Sequence, residues 1–290
     1  MRRTSALHTV AGLSSLIGRG ILKLGPGGAA GVAVLLAFVV TAIVGPWLVG
    51  DPAAINPLNR LKTASAEHWF GTDYLGRDVF TMAIHGTGRS VVVGFVVAAI
   101  AAVLGLTIGM LTGYFRSVDR IVVPMLDGMM AIPGILLAVA LVSILGPNLV
   151  TIIVAISVPE IPRMARVVRG VVLSVREQQF VTAAVSMGTP VPLILLRHIL
   201  PNTIGPVSVQ ATYACASAVI TEAVLSFLGV GGSATPSWGG MIADFRQYVQ
   251  LAPWLIAYPG ALLSLLILIV NVLGDQLREL LDPRMARRLS

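Results

Sequence analysis

The run SVVVGFVVAAIAAVLGLTIGMLTGYF, residues 90–115, decides the fold, because it places no charged side chain on any face of the helix it would form. A helix of a soluble protein keeps one polar side for water, so a helix that is apolar all round has apolar surroundings. At ~1.5 Å per residue this run exceeds the ~30 Å hydrocarbon core of a bilayer. Working outward, the pattern recurs, and the candidate spans are 28–50, 90–115, 121–146, 147–165, 203–230 and 254–274. Pro159, Glu160 and Pro162 interrupt the fourth, whose helix is expected to run on beyond the membrane through Arg163, Arg166 and Arg169. Across the 290 residues only 11% are charged and 56% are hydrophobic, with a mean hydropathy of +0.89. Soluble domains carry about 25% charged residues. The expectation is an all-α integral membrane protein of about six transmembrane helices, since closed helices satisfy their own backbone in lipid.

The net charge of +7 does not point to nucleic acid, because the basic residues flank apolar runs instead of gathering on one surface. The first apolar run, 28–50, is longer than a signal peptide's core of roughly 7–15 residues, so it reads as a transmembrane helix. With the N-terminus inside, fifteen of the twenty Lys and Arg residues fall on inner segments. The other five, Arg60, Lys62, Arg77, Arg89 and Arg246, fall on outer ones. The positive-inside rule therefore places both termini in the cytoplasm. The domain plan is an N-terminal tail 1–27, a helical domain 28–274 with an inner loop about 166–202, and a C-terminal tail 275–290. Two outer segments, 51–89 and 231–253, complete it, with Trp238 and Trp254 expected near the membrane interface. Cys215 lies alone in an apolar run and offers no disulfide or redox pair.

The inner loop is too long to be a simple connector. Ser174-Val-Arg-Glu177 has the form of a capping box, predicting a helix over about 175–187 with Phe180, Ala184 and Met187 on one face. Gly188 suits the left-handed position that ends such a helix. Thr189-Pro190 then predicts a restart, with threonine as N-cap and proline at the first helical position. Two short helices held by a turn are a shape suited to a partner's groove.

Phe180-Val-Thr-Ala-Ala184, Gly188 and Leu200-Pro201-Asn202 resemble the "EAA" loop of ABC-importer permeases, in which Glu-Ala-Ala, three residues, glycine, nine residues and Ile-x-Leu-Pro follow in order. Gly188 and Pro201 keep the spacing, while Thr182 stands in place of the glutamate and His198 in place of the isoleucine. His68-Trp-Phe-Gly-Thr-Asp-Tyr-Leu-Gly-Arg-Asp78 resembles the segment after helix 1 of the C-type permease subunits of dipeptide, oligopeptide and nickel importers. Leu225-Ser-Phe-Leu-Gly229, Pro236-Ser-Trp-Gly239, Ala252-Pro-Trp254, Leu273-Gly-Asp275 and Leu281-Asp-Pro-Arg284 resemble the same subunits. The resemblance implies a type I importer permease fold in a bacterial plasma membrane. It also implies a second, homologous permease subunit, cytoplasmic ATPases that hold ATP and Mg, and an extracytoplasmic substrate-binding protein. Phe180, Thr182, Ala183, Ala184, Gly188, Thr189, Pro190 and Pro201 would then form the ATPase-coupling loop. The cargo it implies is a di- or oligopeptide, with nickel, haem and glutathione as alternatives. The chain has no Gly-x4-Gly-Lys-Ser/Thr loop with which to cradle nucleotide itself.

Carboxylates in spans are expensive and mark pathways or buried partners. Glu222 is the deepest, open to two readings, lining of a polar cavity or a structural hydrogen bond; with Asp127, nearer the inner end, it forms the candidate translocation pathway. Glu160 has Arg163 one turn away and reads as an ion pair at the membrane edge. Gly94, Ala98, Ala102, Gly105, Gly109 and Gly113 form a small-residue stripe for close helix packing, against this chain or a partner. His68 and His85 lack metal-ligand spacing. An intramembrane protease would need a catalytic pair, and no His-Glu-x-x-His occurs. A self-sufficient channel or secondary transporter would leave the docking loop without a purpose.

Overall fold

The computed structural model describes residues 26–232 and 235–281, and the described residues are mostly helical, the main exception being the connection 49–78. In chain order the helices are α1 (Pro26–Leu48), α2 (Val79–Tyr114), α3 (Arg116–Ala131), α4 (Gly134–Leu145) and α5 (Leu149–Val175). They continue with α6 (Gln179–Ser186), α7 (Val191–Ile194), α8 (Leu200–Phe227), α9 (Trp238–Phe245) and α10 (Trp254–Leu281). The basic tail residues Arg2, Arg3, Arg19, Lys23, Arg284, Arg287 and Arg288 lie outside the described residues.

Helix α2 is the axis of the bundle, and its small-residue stripe explains why. A Cβ added at Gly105, Gly109 or Gly113 would come within 2.5–2.6 Å of Met164, Val168 or Val172 on α5. One added at Gly94 would meet Val219 of α8 at 2.8 Å. The stripe therefore serves packing within this chain, with α5 against the C-terminal half of α2 and α8 against the N-terminal half. Without a hydrophobic drive between helices in lipid, such close backbone approach supplies the dispersion contacts that hold the bundle. Three buried clusters result: one where α1, α2, α8, α9 and α10 meet, one between α2, α4, α5 and α8, and one beneath α6 and α7.

Helices α1, α2 and α10 are long and apolar enough to cross a membrane, and the pair α3 and α4 makes a fourth span if read as one. Helices α5 and α8, of 27 and 28 residues, reach ~40 Å. They carry more polar groups, of which Ser157, Glu160, Glu222 and Ser226 are buried in the bundle.

Several expectations change. The run 121–146 is not one helix, because α3 and α4 meet at 88°. Pro133 has no N–H to continue the ladder and holds Ile132 extended, at φ −88° and ψ 128°. Helix α2 begins at Val79 instead of residue 90, its N-terminus capped by Asp78 Oδ2 accepting from the Thr81 N–H at 2.8 Å. Arg89 thus lies nearly three turns inside a span instead of in the connection before it. Trp238, expected near the membrane interface, is buried within the chain: its Nε1 donates to the Ala83 carbonyl at 3.0 Å, and its ring lies over Gly86. The capping box does not form. Helix α5 continues through Ser174 to Val175, because Val168 and Val172 are buried against α2 and this packing outweighs a local cap.

The connection 49–78 is tied down with little regular structure, a 3-10 turn at Pro57–Asn59 and a single bridge between Thr72 and Asp78. The buried Asp73 carboxylate accepts from the N–H groups of Leu75 and Arg77 and from Arg77 Nε at 2.6 Å. Gly76 has φ +79°, and a side chain there would collide with the Asn56 carbonyl. The motif residues Gly71 to Asp78 are therefore a folded cap on the start of α2.

Candidate coupling loop and membrane carboxylates

At the opposite end of the bundle, α5 closes with the Arg176 N–H bonded to the Val172 carbonyl, and Arg176 Nη1 donates to the Gly113 carbonyl at 3.0 Å. This fixes the exit of α5 to the end of α2. Helix α6 starts at Gln179 with no side-chain cap. Gly188, at φ +77°, ends the pair of hydrogen bonds that close it: its N–H bonds to the Val185 carbonyl, and the Thr189 N–H to the Ala184 carbonyl. That is a Schellman turn, the role expected of this glycine. Thr189 is not the cap of the next helix. Pro190 occupies that position, and α7 runs from Val191 with Pro192 in its first turn. A π-helical turn, Leu195–Ile199, then leads into α8. Pro201 lacks the N–H that an α-turn would use and its ring crowds the preceding carbonyls, so the turn widens, with the Leu200 N–H reaching back to the Leu195 carbonyl.

Helix α6 presents two faces. Val181 and Ala184 are buried on the bundle, beside Ile194 and Ile199. Phe180, Thr182, Ala183, Val185, Met187, Gly188 and Pro190 are exposed. Ala184 therefore does not share the outward face expected of it with Phe180 and Met187. Pro201 is exposed one helix further on. The structure thus groups most of the loop residues on one open, mostly apolar surface and assigns Ala184 to anchoring it.

The carboxylates separate by environment. Glu222 is fully buried and lines none of the larger cavities among the described residues. Its Oε1 accepts from Arg89 Nε at 2.8 Å and from Ser226 Oγ at 2.8 Å, while Arg89 Nη2 donates to the Gly231 carbonyl at 2.7 Å. The geometry is that of an internal ion pair clamping α2, α8 and the turn after α8 together. Sequence reasoning missed Arg89, since nothing local signals a partner 133 residues away. Asp127 is half exposed and pairs with Arg166 at 2.6 Å, and the two border a cavity of about 310 Å³ between α3 and α5. One turn beyond, Arg169 makes two bonds to Asp119, at 2.5 and 2.9 Å. The basic residues of α5 thus hold α3 alongside it. His68 bonds Asp78, and His85 reaches the Gly50 carbonyl.

Glu160 is the carboxylate that borders the largest of these cavities, about 490 Å³, between α4, α5, α8 and α10. It does pair with Arg163, at 2.5 Å, but its side chain is only 4% exposed. Ser217 of α8 donates to the same oxygen, Oε1, at 2.8 Å.

The described residues thus form a multi-helix bundle with a Schellman turn at one end and cavities beside broken helices. Residues 101–287 match the family model described as the binding-protein-dependent transport system inner membrane component. The chain is 49% identical over 259 residues to the probable peptide ABC transporter permease protein y4tQ of Sinorhizobium fredii (strain NBRC 101917 / NGR234), covering 89% of each chain. It is 43% identical over 258 residues to the dipeptide transport system permease protein DppC of Alkalihalophilus pseudofirmus, covering 88% of this chain and 85% of that one. Its fold is similar to a chain of the inward-facing MetNI methionine ABC transporter, with a TM-score of 0.57 at 20% identity over 69% of this chain and 96% of that one. The protein belongs to the family of inner-membrane components of binding-protein-dependent transport systems. It is a multi-pass bacterial plasma-membrane protein and a permease subunit of an ABC importer.

Proposed function

We propose that the cargo is a di- or oligopeptide, and that the loop from Arg176 to Asn202 couples this chain to a cytoplasmic ATPase. The cargo reading is supported by relatives named for peptide and dipeptide transport. The coupling reading rests on one observation above all: α6 is pinned by Val181 and Ala184 while it turns Phe180, Thr182, Ala183 and Met187 outward beside the Schellman turn at Gly188. A rigid, half-apolar knob of this kind fits a groove in a partner. A second, homologous permease subunit completes the pathway, an extracytoplasmic binding protein delivers the peptide, and the ATPase subunits hold ATP and Mg and carry out hydrolysis. Both termini face the cytoplasm in this arrangement. Thr182, where the related motif has glutamate, offers the ATPase a hydroxyl and no charge, so docking rests on shape and apolar contact.

Two measurements test this. ATPase subunits and a second permease should co-purify with the tagged chain from its own organism. In the assembled complex, Gly188→Val should abolish peptide-stimulated ATPase activity. No atom stands within 4 Å of a Cβ at that position, so the substitution acts through the backbone, which a β-branched residue resists holding at φ +77°. Stimulation at the wild-type level in a well-assembled Gly188→Val complex would refute the coupling role.

A further inference from the structure

The cavity beside Glu160 has an uneven inventory of hydrogen-bonding groups. Every hydroxyl on its wall has already given its proton away: Ser217 to Glu160, Thr221 to the Ser217 carbonyl at 2.8 Å, and Tyr213 to Asp275 at 2.7 Å. Each therefore offers only an acceptor. Both bonds to Glu160 end on Oε1, and no described group bonds Oε2. Against these acceptors stand the guanidinium of Arg163, 44% exposed at the rim, and the amide of Asn271. Glu160 is 96% removed from solvent, with its Oε1 held by Arg163 and Ser217, so Oε2, the oxygen without a partner among the described residues, is the one left to the cavity. At about 490 Å³ the space matches small-molecule sites of ~300–1,000 Å³ and far exceeds what a bare ion needs.

We infer that this cavity is a way station for a primary ammonium, the N-terminal amine of a small peptide in transit, held by Glu160 Oε2 and the surrounding acceptors. An ammonium brings three donors to a wall whose hydroxyls only accept, and a positive charge to the open oxygen of Glu160. Arg163, already engaged with the other oxygen, keeps Glu160 oriented and stands at the rim where the peptide's carboxylate would follow. The inference rests on the peptide-permease reading and adds to it a particular contact.

The test uses the complete permease–ATPase complex in nanodiscs without the binding protein, with alanylalanine and N-acetyl-alanylalanine as probes in saturation-transfer NMR. Alanylalanine should receive saturation from the complex, and its acetylated form at least about tenfold less, the worth of one charge-assisted hydrogen bond. Glu160→Gln still accepts from Arg163 and Ser217, so it preserves the packing of α5 on α8 while removing the charge, and it should abolish the difference between the two probes. Equal saturation of both probes by the wild-type complex, or by neither, overturns the inference, and that comparison needs no variant. Probe discrimination unchanged in Glu160→Gln overturns it too. A Glu160→Gln complex that loses the second permease subunit but keeps probe discrimination would assign Oε2 to a basic side chain of that subunit instead. Peptide uptake by the wild-type complex with its binding protein is read separately: if no peptide is taken up, the peptide reading itself has failed.

Discussion

Breaking the Arg89–Glu222 pair should unfold the bundle's core before it alters what the complex transports. Both side chains are buried, 5% and 0% exposed, and the 2.8 Å contact between Arg89 Nε and Glu222 Oε1 joins α2 to α8. Glu222→Met leaves Arg89 with the Ser226 hydroxyl and the Gly231 carbonyl as its partners and no compensating charge. Removing one member of a buried pair costs ~3–5 kcal/mol, because the other remains charged out of water. For a chain of this size roughly 2–4 °C accompanies each kcal/mol, so the apparent Tm should fall by roughly 6–20 °C. Replacing both, Arg89→Met with Glu222→Met, removes both charges and leaves side chains of adequate length to fill the site. Such replacements are commonly neutral or better, so the double variant should recover most of the loss. Thermal stability of the purified complex, followed by fluorescence-detected size exclusion in a double-mutant cycle, reads this directly. A Glu222→Met variant that melts with the wild type, or a double variant no more stable than the sum of the singles, refutes the internal-clamp reading. If Glu222→Met kept its Tm and lost uptake of cationic peptides only, Glu222 would belong to the translocation pathway.

The remaining predictions concern packing and topology. Gly109→Leu places a side chain where a Cβ already comes within 2.6 Å of the Ala165 carbonyl and Val168, so α2 and α5 must separate and expression of folded complex should collapse; a wild-type yield and Tm would contradict the stripe's role. Cysteines introduced at the exposed Ser65→Cys and Ser186→Cys positions should react with a membrane-impermeant thiol reagent from opposite sides, Ser65→Cys from outside intact cells and Ser186→Cys only after lysis. Labelling of both from outside would overturn the orientation drawn from the basic residues.

The particular residues show how far a linear reading reaches. Gly188 was placed correctly because its requirement is local: a positive φ at the end of a short helix depends on a few neighbouring residues. The Ser174–Glu177 box was also local, yet it lost to the burial of Val168 and Val172, which a window along the chain does not weigh. Ile132–Pro133 carried a visible break signal that the hydropathy of 121–146 masked, and the direction of the bend is set by what α4 packs against. Of the two readings open for Glu222, packing chose the structural bond, and the expected Arg163 partner of Glu160 came with a cavity that the sequence did not signal. The residue with an apparent partner at i+3 borders a cavity, and the one deepest in an apolar run is sealed by an arginine.

The sequence by itself determined that the chain lives in lipid, where its helices run to within a few residues at most ends, and that a glycine turn closes the loop at one end of the bundle. Those properties follow from the absence of charge over ~20-residue stretches and from single-residue backbone preferences, both of which are short-range. Only the tertiary structure decided which partner each buried charge has, which face of α6 is anchored, and which helix the glycine stripe meets. The reason is that Arg89 and Glu222, or Gly109 and Val168, are joined by distances in space that bear no relation to their separation along the chain. The cost of an unpaired charge or an overlapping Cβ is settled only when the helices pack.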